Sequence, residues 1–352
     1  MKVLLVEPKR GREYHTTYPP LALLKLSTFH KKKGDSIKLV NGISNIEFKP
    51  DLIYITSLFT YAWKPVHEVI RYYAIKFRNA KVVVGGIYAT LCSQHLYEEF
   101  GDRIEIHGGL FPKIDNLIPD YSLVPEWKTS IVFSSRGCPR NCPFCSVCIL
   151  EPEFISKRSI KKFVYPGHEK IVFWDNNILA TSHWNKIFKE LHKLDMEVDF
   201  NQGLDARLLT DEVAFKLSKI RIKLVRLAYD SIGIKNQLFK AISHLKKTGI
   251  KGNKIIVYCL YNYKNDSPEI FLERIKNLME WRVVAYPMRY EPLEPSKKNT
   301  YVSENWTLEK LEMLAKARRV LGFGGAFPAY VGLRKKILKA NSFEDAFSLI
   351  PI

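Results

Sequence analysis

Acidic residues are scarce in this chain of 352 residues, which carries 36 Asp and Glu against 55 Lys and Arg and a net charge of +19. An excess of positive charge attracts phosphate groups and raises the rate of encounter with nucleic acid. The same composition also fits a lysine-rich, solvated surface of the kind that thermophilic proteins carry. The charge therefore leaves two interpretations open: RNA or DNA as a partner, or a surface without a specific partner.

Long apolar runs are also lacking. No stretch approaches the ~20 residues that cross a bilayer. The amino end, MKVLLVEPKR, is typical of a core strand rather than of a targeting signal. From these two features we expect a cytoplasmic protein without a membrane partner.

Cysteines are few, and they are unevenly placed. Six are too few for a disulfide scaffold in a chain of this length. Cys92 and Cys259 lie in apolar surroundings and are expected to be small buried side chains. The other four occur in the stretch CPRNCPFCSVC (138–148) at C-x3-C-x2-C-x2-C spacing. Clustered cysteines of this kind more often bind metal or carry chemistry than form disulfides.

The first third of the chain alternates short apolar runs with helical patterns. Strands are expected at 2–7, 36–40, 51–56, 81–86 and 103–109, with helices at 20–33 and 65–77. This order predicts an α/β domain over residues 1–127 with a doubly wound, Rossmann-like parallel sheet and helices on both faces. Residues 110–128 contain three prolines and no clear period, so we expect a linker there.

From residue 128 the alternation resumes. Strands are expected at 130–135, 170–175, 197–202, 223–230, 254–262 and 282–290, separated by helices at 183–194, 210–218, 235–248 and 268–280. Six strand–helix repeats predict a partial (β/α)6 barrel of the TIM type over residues 128–291. The basic tail, residues 292–352, has a helical pattern at 307–322 and is expected to cap one barrel opening, with phosphate contact as a second role.

Each expected barrel strand ends in polar residues, at the position where TIM-type barrels carry their functional groups. Any one of these residues could form a turn or a helix cap, but polar residues follow one strand after another along the barrel. The residues are Asp175, Asn176 and Asn177, then Asn201, Gln202, Asp205 and Arg207, then Asp230, Asn262, Arg289 and Glu291.

Three metal centres compete for the clustered thiols. Structural zinc takes four ligands, usually two close pairs from separate turns, and fits a single loop poorly. An ordinary ferredoxin cluster takes four cysteines, one of them usually distant in sequence. A 4Fe–4S cluster held by three cysteines leaves one iron open to a ligand that is not protein.

The spacing C-x3-C-x2-C, the aromatic Phe144 and the position directly after the first barrel strand resemble the radical S-adenosylmethionine (SAM) enzymes. The resemblance implies that Cys138, Cys142 and Cys145 ligate a 4Fe–4S cluster and that SAM binds its open iron. It further implies a flavodoxin- or ferredoxin-like electron donor and cleavage of SAM to a 5′-deoxyadenosyl radical. Cys148 departs from the pattern and is interpreted as a free thiol beside the site.

Positions that match this family suggest further cofactor contacts. Asp175 and Asn176 stand where the family recognises the amino group of SAM. Asp230, at the end of the fourth barrel strand, is also expected to contact the cofactor. The loop containing Gln202, Asp205 and Arg207 is expected to hold the carboxylate or ribose, because an arginine fork suits a carboxylate. No glycine-rich element is evident near the fifth strand, so the adenine contact is unassigned.

A doubly wound domain before such a barrel resembles the cobalamin-binding branch of the family, in YPPLALLKLSTFHKKKGDSIKLVNG (18–42) and VVVGGIYAT (82–90). The string Asp-x-His-x-x-Gly, which places a histidine under cobalt, is missing. His15 stands near the right loop without its Asp and Gly. We therefore expect a domain that has lost cobalamin. The alternative is a cobalamin-dependent C-methyltransferase.

Two hypotheses of different classes follow. The first is a radical SAM enzyme that modifies a large substrate, with RNA or DNA a candidate because of the charge. The second is a non-catalytic iron–sulfur or zinc protein that binds nucleic acid through four equivalent thiolate ligands. They differ in the role of Cys148, which only the second uses.

Overall fold

The computed structural model describes residues 1–9 and 18–349, so His15 lies outside the described residues. A five-stranded sheet forms the first part of the molecule. Its strands are β1 (Lys2–Glu7), β2 (Ser36–Asn41), β3 (Leu52–Ser57), β4 (Lys81–Gly86) and β5 (Glu105–His107). All neighbours are parallel, in the order β2-β1-β3-β4-β5. This is one of the common orders of doubly wound folds, and the five predicted strands are confirmed.

Helices cover both faces of this sheet, as expected. They are α1 (Leu21–Lys31), α2 (Trp63–Lys76), α3 (Ile87–Leu91), α4 (Ser93–Phe100) and α5 (Pro112–Asp115). Because side chains alternate along a strand, Val3 and Leu5 pack towards α1 and α5, whereas Leu4 and Val6 belong to the core under α2, α3 and α4.

Residues 110–128 are more than a linker. They contain α5 and a 3-10 turn at Tyr121–Leu123, and they are bound to α1 by side-chain hydrogen bonds. Ser27 Oγ donates to Asp120 at 2.6 Å, and Lys25 Nζ donates to the Asp115 carbonyl at 2.6 Å. The segment is thus an integral part of the first layer of helices.

The second part is the partial barrel. Its principal strands are β6 (Thr129–Val132), β9 (Lys170–Phe173), β10 (Glu197–Phe200), β11 (Val225–Ala228), β12 (Ile255–Tyr261) and β13 (Val284–Arg289). A short antiparallel pair, β7 (Ser135–Arg136) and β8 (Ile155–Ser156), brackets the cysteine loop, which also contains α6 (Val147–Leu150). The intervening helices are α7 (Trp184–Leu194), α8 (Asp211–Leu217), α9 (Lys235–Lys247) and α10 (Pro268–Glu280).

The six strands are parallel in two sets, β6-β9-β10 and β11-β12-β13. A parallel bridge between Val198 and Ile222 and a hydrogen bond from Leu204 N–H to the Arg226 carbonyl join the sets. Aliphatic and aromatic residues of the strands and of α7–α10 form one buried core. At the start of α10 the expected cap is present, because Ser267 accepts from Ile270 N–H and Pro268 occupies the first turn.

The tail contains α11 (Leu308–Val320), α12 (Val331–Lys339) and α13 (Phe343–Phe347). The tail was expected to cap one barrel opening, but only the segment before α11 does so. In this segment the Tyr301 carbonyl accepts hydrogen bonds from Asn262 and Arg289, which lie at two strand ends. The helices instead flank the barrel. Phe343 and Phe347 of α13 pack on Phe271 of α10. The apolar face of α13 is thereby buried against the outer layer of helices. Among the helices described, none has the length and apolar character of a membrane-spanning segment.

Candidate active site

The cysteine loop leaves the barrel at the carboxyl end of β6 and turns sharply at Gly137. This residue has φ of +69°, and a Cβ atom there would lie 2.3 Å from the Glu153 carbonyl oxygen and 2.9 Å from that of Glu151. Only glycine fits both the backbone conformation and the close approach. The first cysteine, Cys138, follows immediately.

Asp175 lies beneath this loop and is almost fully buried. Its carboxylate accepts hydrogen bonds from Ser134 N–H at 2.9 Å, Ser134 Oγ at 2.5 Å and Ser135 Oγ at 2.7 Å. Burial raises the pKa of Asp175, while these donors act in the opposite direction. Asp175 therefore supports the start of the loop, and its expected contact with SAM stays a prediction.

A charged network ties the start of the loop to the first domain. Arg136 donates to Asp115 of α5 at 2.7 Å from Nε and contacts Glu151 at 3.1 Å. Lys157 and Lys25 also approach Asp115, at 3.1 and 3.9 Å. Burial raises the pKa of Asp115, but attraction by the three cations outweighs it and lowers the pKa to about 2.

Glu151 completes the network on the loop side. Its Oε2 accepts from Gly137 N–H at 2.6 Å and from Asn176 Nδ2 at 3.1 Å. The side chain of Asn176 is thus engaged in holding the loop. Asp115, Arg136 and Glu151 were not singled out from the sequence, although Arg136 and Glu151 immediately flank the cysteine stretch.

Cys138 Sγ accepts from Arg140 N–H at 3.4 Å and from Asn177 Nδ2 at 3.8 Å. The Asn177 amide also donates to Asp205 Oδ2 at 3.1 Å. Arg140 Nε donates to the same oxygen at 3.2 Å, and Arg207 Nε donates to Asp205 Oδ1 at 2.7 Å. These residues, from three strand ends, form a connected set around Cys138.

Asp230 completes the group at the end of β11. Burial raises its pKa to about 6, although Arg274 and Arg207 oppose the shift. Arg274 is itself buried and donates to the carbonyls of Tyr229 and Leu260, so it fixes the ends of β11 and β12. Asp230 lies near enough to raise the pKa of the Cys142 thiol, which burial also raises.

The four loop cysteines differ in exposure. All four are free thiols; Cys138, Cys142 and Cys145 are half-buried, whereas Cys148 is exposed and donates to the Cys145 carbonyl at 3.5 Å. Over residues 1–9 and 18–349, no three His, Cys, Asp or Glu side chains lie close enough to share a single metal ion. Thiol sulfur is the donor that iron–sulfur clusters take in proteins, and three such donors stand together on one loop.

Of the predicted cofactor contacts, the structure brings Asp205, Arg207 and Asp230 to the cysteine side of the barrel. Gln202 is exposed and donates to Asn201 at 3.4 Å. Asn177 and Arg140 were not assigned a role from the sequence. Asn177 does carry a signal, since it ends the Asp175–Asn177 run after a strand.

The carboxyl edge of the first sheet lies against the cysteine loop. The Leu150 carbonyl oxygen is 3.7 Å from where a Cβ atom on Gly109 would stand. Gly86 has φ of +111° and a Cβ atom there would collide with the Ser57 carbonyl, so the glycine turn allows two strand ends to meet. Beside it, His107 Nε2 is buried and, within the described part of the chain, has no hydrogen-bond partner.

No family model matches the sequence. A curated relative, the uncharacterized methyltransferase PH0819 of Pyrococcus horikoshii, is 28% identical over a match that covers 42% of this chain. The chain spans less than half of that relative, 45% of its length.

Two solved structures resemble this chain over most of its length. Both are of the radical SAM methyltransferase TsrM from Kitasatospora setae. The form with cobalamin and a 4Fe–4S cluster bound has a TM-score of 0.63, with 14% identity over 92% of this chain and 79% of TsrM. The form with tryptophan substrate and the SAM analogue aza-SAM has a TM-score of 0.62, with 13% identity over 91% and 77%. The fold class predicted from the alternation of strands and helices is thus confirmed: this chain has a doubly wound domain followed by a partial barrel, a fold similar to that of TsrM.

Proposed function

We propose that this protein is a radical SAM enzyme that holds a 4Fe–4S cluster through Cys138, Cys142 and Cys145. The observation that carries the proposal is the difference in exposure between the fourth cysteine and the other three. Three thiols are half-buried on the loop at the barrel mouth, whereas Cys148 is exposed and bonded to a backbone carbonyl. Three protein ligands leave one iron available to SAM. When reduced by an external one-electron donor, the cluster supplies the electron that cleaves SAM.

The residues of this chain have positioning roles in the proposal. Asp175 fixes Ser134 and Ser135 below the loop. Glu151 fixes Gly137. Arg207 presents a guanidinium group, about one third exposed, beside the cysteines. A guanidinium fork binds a carboxylate well, so Arg207 is the residue that we assign to the SAM carboxylate.

The test is cluster content after anaerobic reconstitution. The variant Cys142→Ala should lose the cluster, and Cys148→Ala, as a matched control on the same loop, should retain the iron and sulfide content of the parent. The parent, reduced in the presence of SAM, should release 5′-deoxyadenosine. Equal loss of cluster in the two variants would instead support a non-catalytic four-cysteine centre.

Cobalamin-dependent methyl transfer is a second candidate, favoured by the likeness to TsrM with cobalamin bound and by the methyltransferase name of the curated relative. The carboxyl edge of the first sheet offers a fitting place. His107 Nε2 is buried there and, in the described part of the chain, has no hydrogen-bond partner. A Cβ atom added at Gly108 would have its nearest neighbour, Thr90 Cγ2, 4.0 Å away. Doubly wound folds bind ligands at this edge. Cobalamin held there would supply a methyl carrier facing the cysteine loop.

A titration with hydroxocobalamin separates the two candidates. A saturable change in the cobalamin absorbance, weakened by His107→Ala, would support methyl transfer. The absence of binding to protein that carries its full cluster would support the enzyme without cobalamin, which the sequence had favoured.

A further inference from the structure

The concave face of the barrel carries an ion pair where apolar side chains usually pack. Val198 and Phe200 of β10 and Val225 and Leu227 of β11 belong to the buried core shared with the outer helices. Side chains alternate along a strand, so Asp199 and Arg226 face the opposite, inner side. Arg226 Nη1 donates to Asp199 Oδ1 there.

This ion pair is accessible to solvent, with 29% of the Asp199 side chain and 14% of the Arg226 side chain exposed. Both side chains are nevertheless mostly buried, and the burial of two charged groups costs free energy unless hydrogen bonds and the attraction between the charges offset it. A carboxylate beside a guanidinium group presents one acceptor and several donors in a row. That row complements a ligand edge that carries an N–H group next to a carbonyl or a ring nitrogen.

Aromatic rings surround the pair. Tyr258 lies beside Arg226, and its ring meets the Tyr286 ring edge-on with the centroids 5.5 Å apart. Its register partner on β11 is Ala228, whose small side chain leaves room at the same level. Flat aromatic walls suit a planar ring.

The first domain closes this space from the other side. Tyr18 accepts from Asn201 Nδ2 at 3.0 Å, and its ring lies 5.3 Å from that of Trp174. Burial raises the pKa of Tyr18, and the negative charge of Asp199 adds to this shift. Trp174 Nε1 is buried and, among residues 1–9 and 18–349, has no hydrogen-bond partner. A buried donor without an acceptor is costly and points to a ligand group that completes it.

We propose that this inner cleft, defined by Tyr18, Trp174, Asp199, Arg226 and Tyr258, binds a nucleobase as the substrate ring. The inference rests on the proposed function, because it assigns the substrate of that reaction. The paired donor and acceptor of Asp199 and Arg226 match the hydrogen-bonding edge of a base. The net charge of +19 favours a ligand that carries phosphate.

The test is calorimetric titration of the cluster-loaded protein with guanosine, adenosine, uridine, cytidine and tryptophan. A nucleoside should bind saturably. Asp199→Asn should weaken its binding about tenfold or more, because a charge-assisted hydrogen bond is lost. The matched control is Asp195→Asn, which alters an exposed Asp195–Arg221 pair on the outside of the same region. It should bind like the parent.

Should Asp199→Asn not fold, Arg226→Gln removes the cationic donor of the same pair and should also weaken nucleoside binding. A short single-stranded RNA in a parallel titration distinguishes a base in a strand from a free nucleoside, and either result supports the proposal. Stronger binding of tryptophan than of any nucleoside, no saturable binding by any nucleoside or RNA, or equal binding by the variant and the parent would overturn it. Cluster content and 5′-deoxyadenosine release on the same preparations report the proposed function separately.

Discussion

Arg136, two residues before the first cysteine of the loop, donates from Nε to Asp115 Oδ1 at 2.7 Å. The two residues come from different parts of the molecule, the barrel and the last helix of the doubly wound domain. The same guanidinium group reaches Glu151, which accepts from Gly137 N–H. The conformation of the cysteine loop therefore depends on a carboxylate of the first domain.

Replacement of Asp115 by Asn should lower the free energy of unfolding by about 2–4 kcal/mol. The lower figure follows from a pKa of about 2 against an ordinary 3.8, and the rest from leaving buried cations without a counter-charge. Because the pKa is depressed on folding, this contribution is present above pH ~4 and is lost as the pH falls through about 2. Urea unfolding at several pH values measures it.

Asp102→Asn is the control for Asp115, since Asp102 is exposed in a surface turn of the same domain. It should unfold at the urea concentration of the parent. Equal unfolding midpoints for Asp115→Asn and the parent at pH 7 would contradict the role of Asp115 in stability.

Asn177→Leu should make the reduction potential of the cluster more negative. Its amide donates to Cys138 Sγ and is oriented by Asp205, and hydrogen bonds to ligand sulfur are among the groups that set cluster potentials. Redox titration followed by electron paramagnetic resonance measures the change. Asn185→Leu on α7, whose side-chain oxygen accepts from Lys216 instead, should leave the potential unchanged, and equal shifts in the two variants would refute the assignment.

Gly137→Ala should abolish cluster uptake and unfold at a lower urea concentration. A methyl group there meets two backbone carbonyls, at 2.3 and 2.9 Å, in addition to the strain of a positive φ. Gly34→Ala isolates the strain, because Gly34 has φ of +79° and no atom within 4 Å of the added carbon. The control should lose about 1 kcal/mol and keep its cluster. Normal iron content in Gly137→Ala would show that the loop tolerates the change.

His67 should make the first domain sensitive to acid. The side chain is buried against Tyr88 and His95, and burial lowers its pKa to about 4. The unfolded chain therefore binds more protons between pH ~6.5 and ~4, so the free energy of unfolding falls as the pH drops through this window. The loss should be about 3 kcal/mol at most.

His67→Gln should remove that part of the pH dependence, measured as unfolding free energy at pH 7, 5.5 and 4. His192→Gln on the surface of α7 is the control and should retain it. Parallel pH profiles for the parent and His67→Gln would exclude His67 as the acid-sensitive group.

The strands of both domains could be predicted because each is a short apolar run between turn residues, and periodicity detects such runs. The cysteine spacing likewise identified the loop. Asp175 shows where this reasoning ends: its position after a strand suggested a ligand contact, and nothing in the sequence indicated that its carboxylate also binds Ser134 and Ser135. Which way a strand-end side chain turns depends on partners about 40 residues away, and no local pattern carries that information.

Residues 110–128 and the tail show the same limit. Three prolines in 110–128 indicated a linker, whereas burial of Ile114 and the ion pairs of Asp115 make the segment part of the fold. The first tail helix was predicted at 307–322, but α12, α13 and the surface that they cover were not. That surface includes Phe271 of α10, which contacts Phe347. The sequence of the tail does not indicate which residues of the barrel it covers.

The contact between Asp115 and the cysteine loop limits how this protein can be divided. A truncated barrel without the first domain would keep Arg136 and Lys157 but lose the carboxylate that neutralises them. We expect such a fragment to assemble no centre, however faithfully its own sequence is retained. The doubly wound domain is thus needed as a scaffold for the cysteine loop, independently of any ligand that it binds itself.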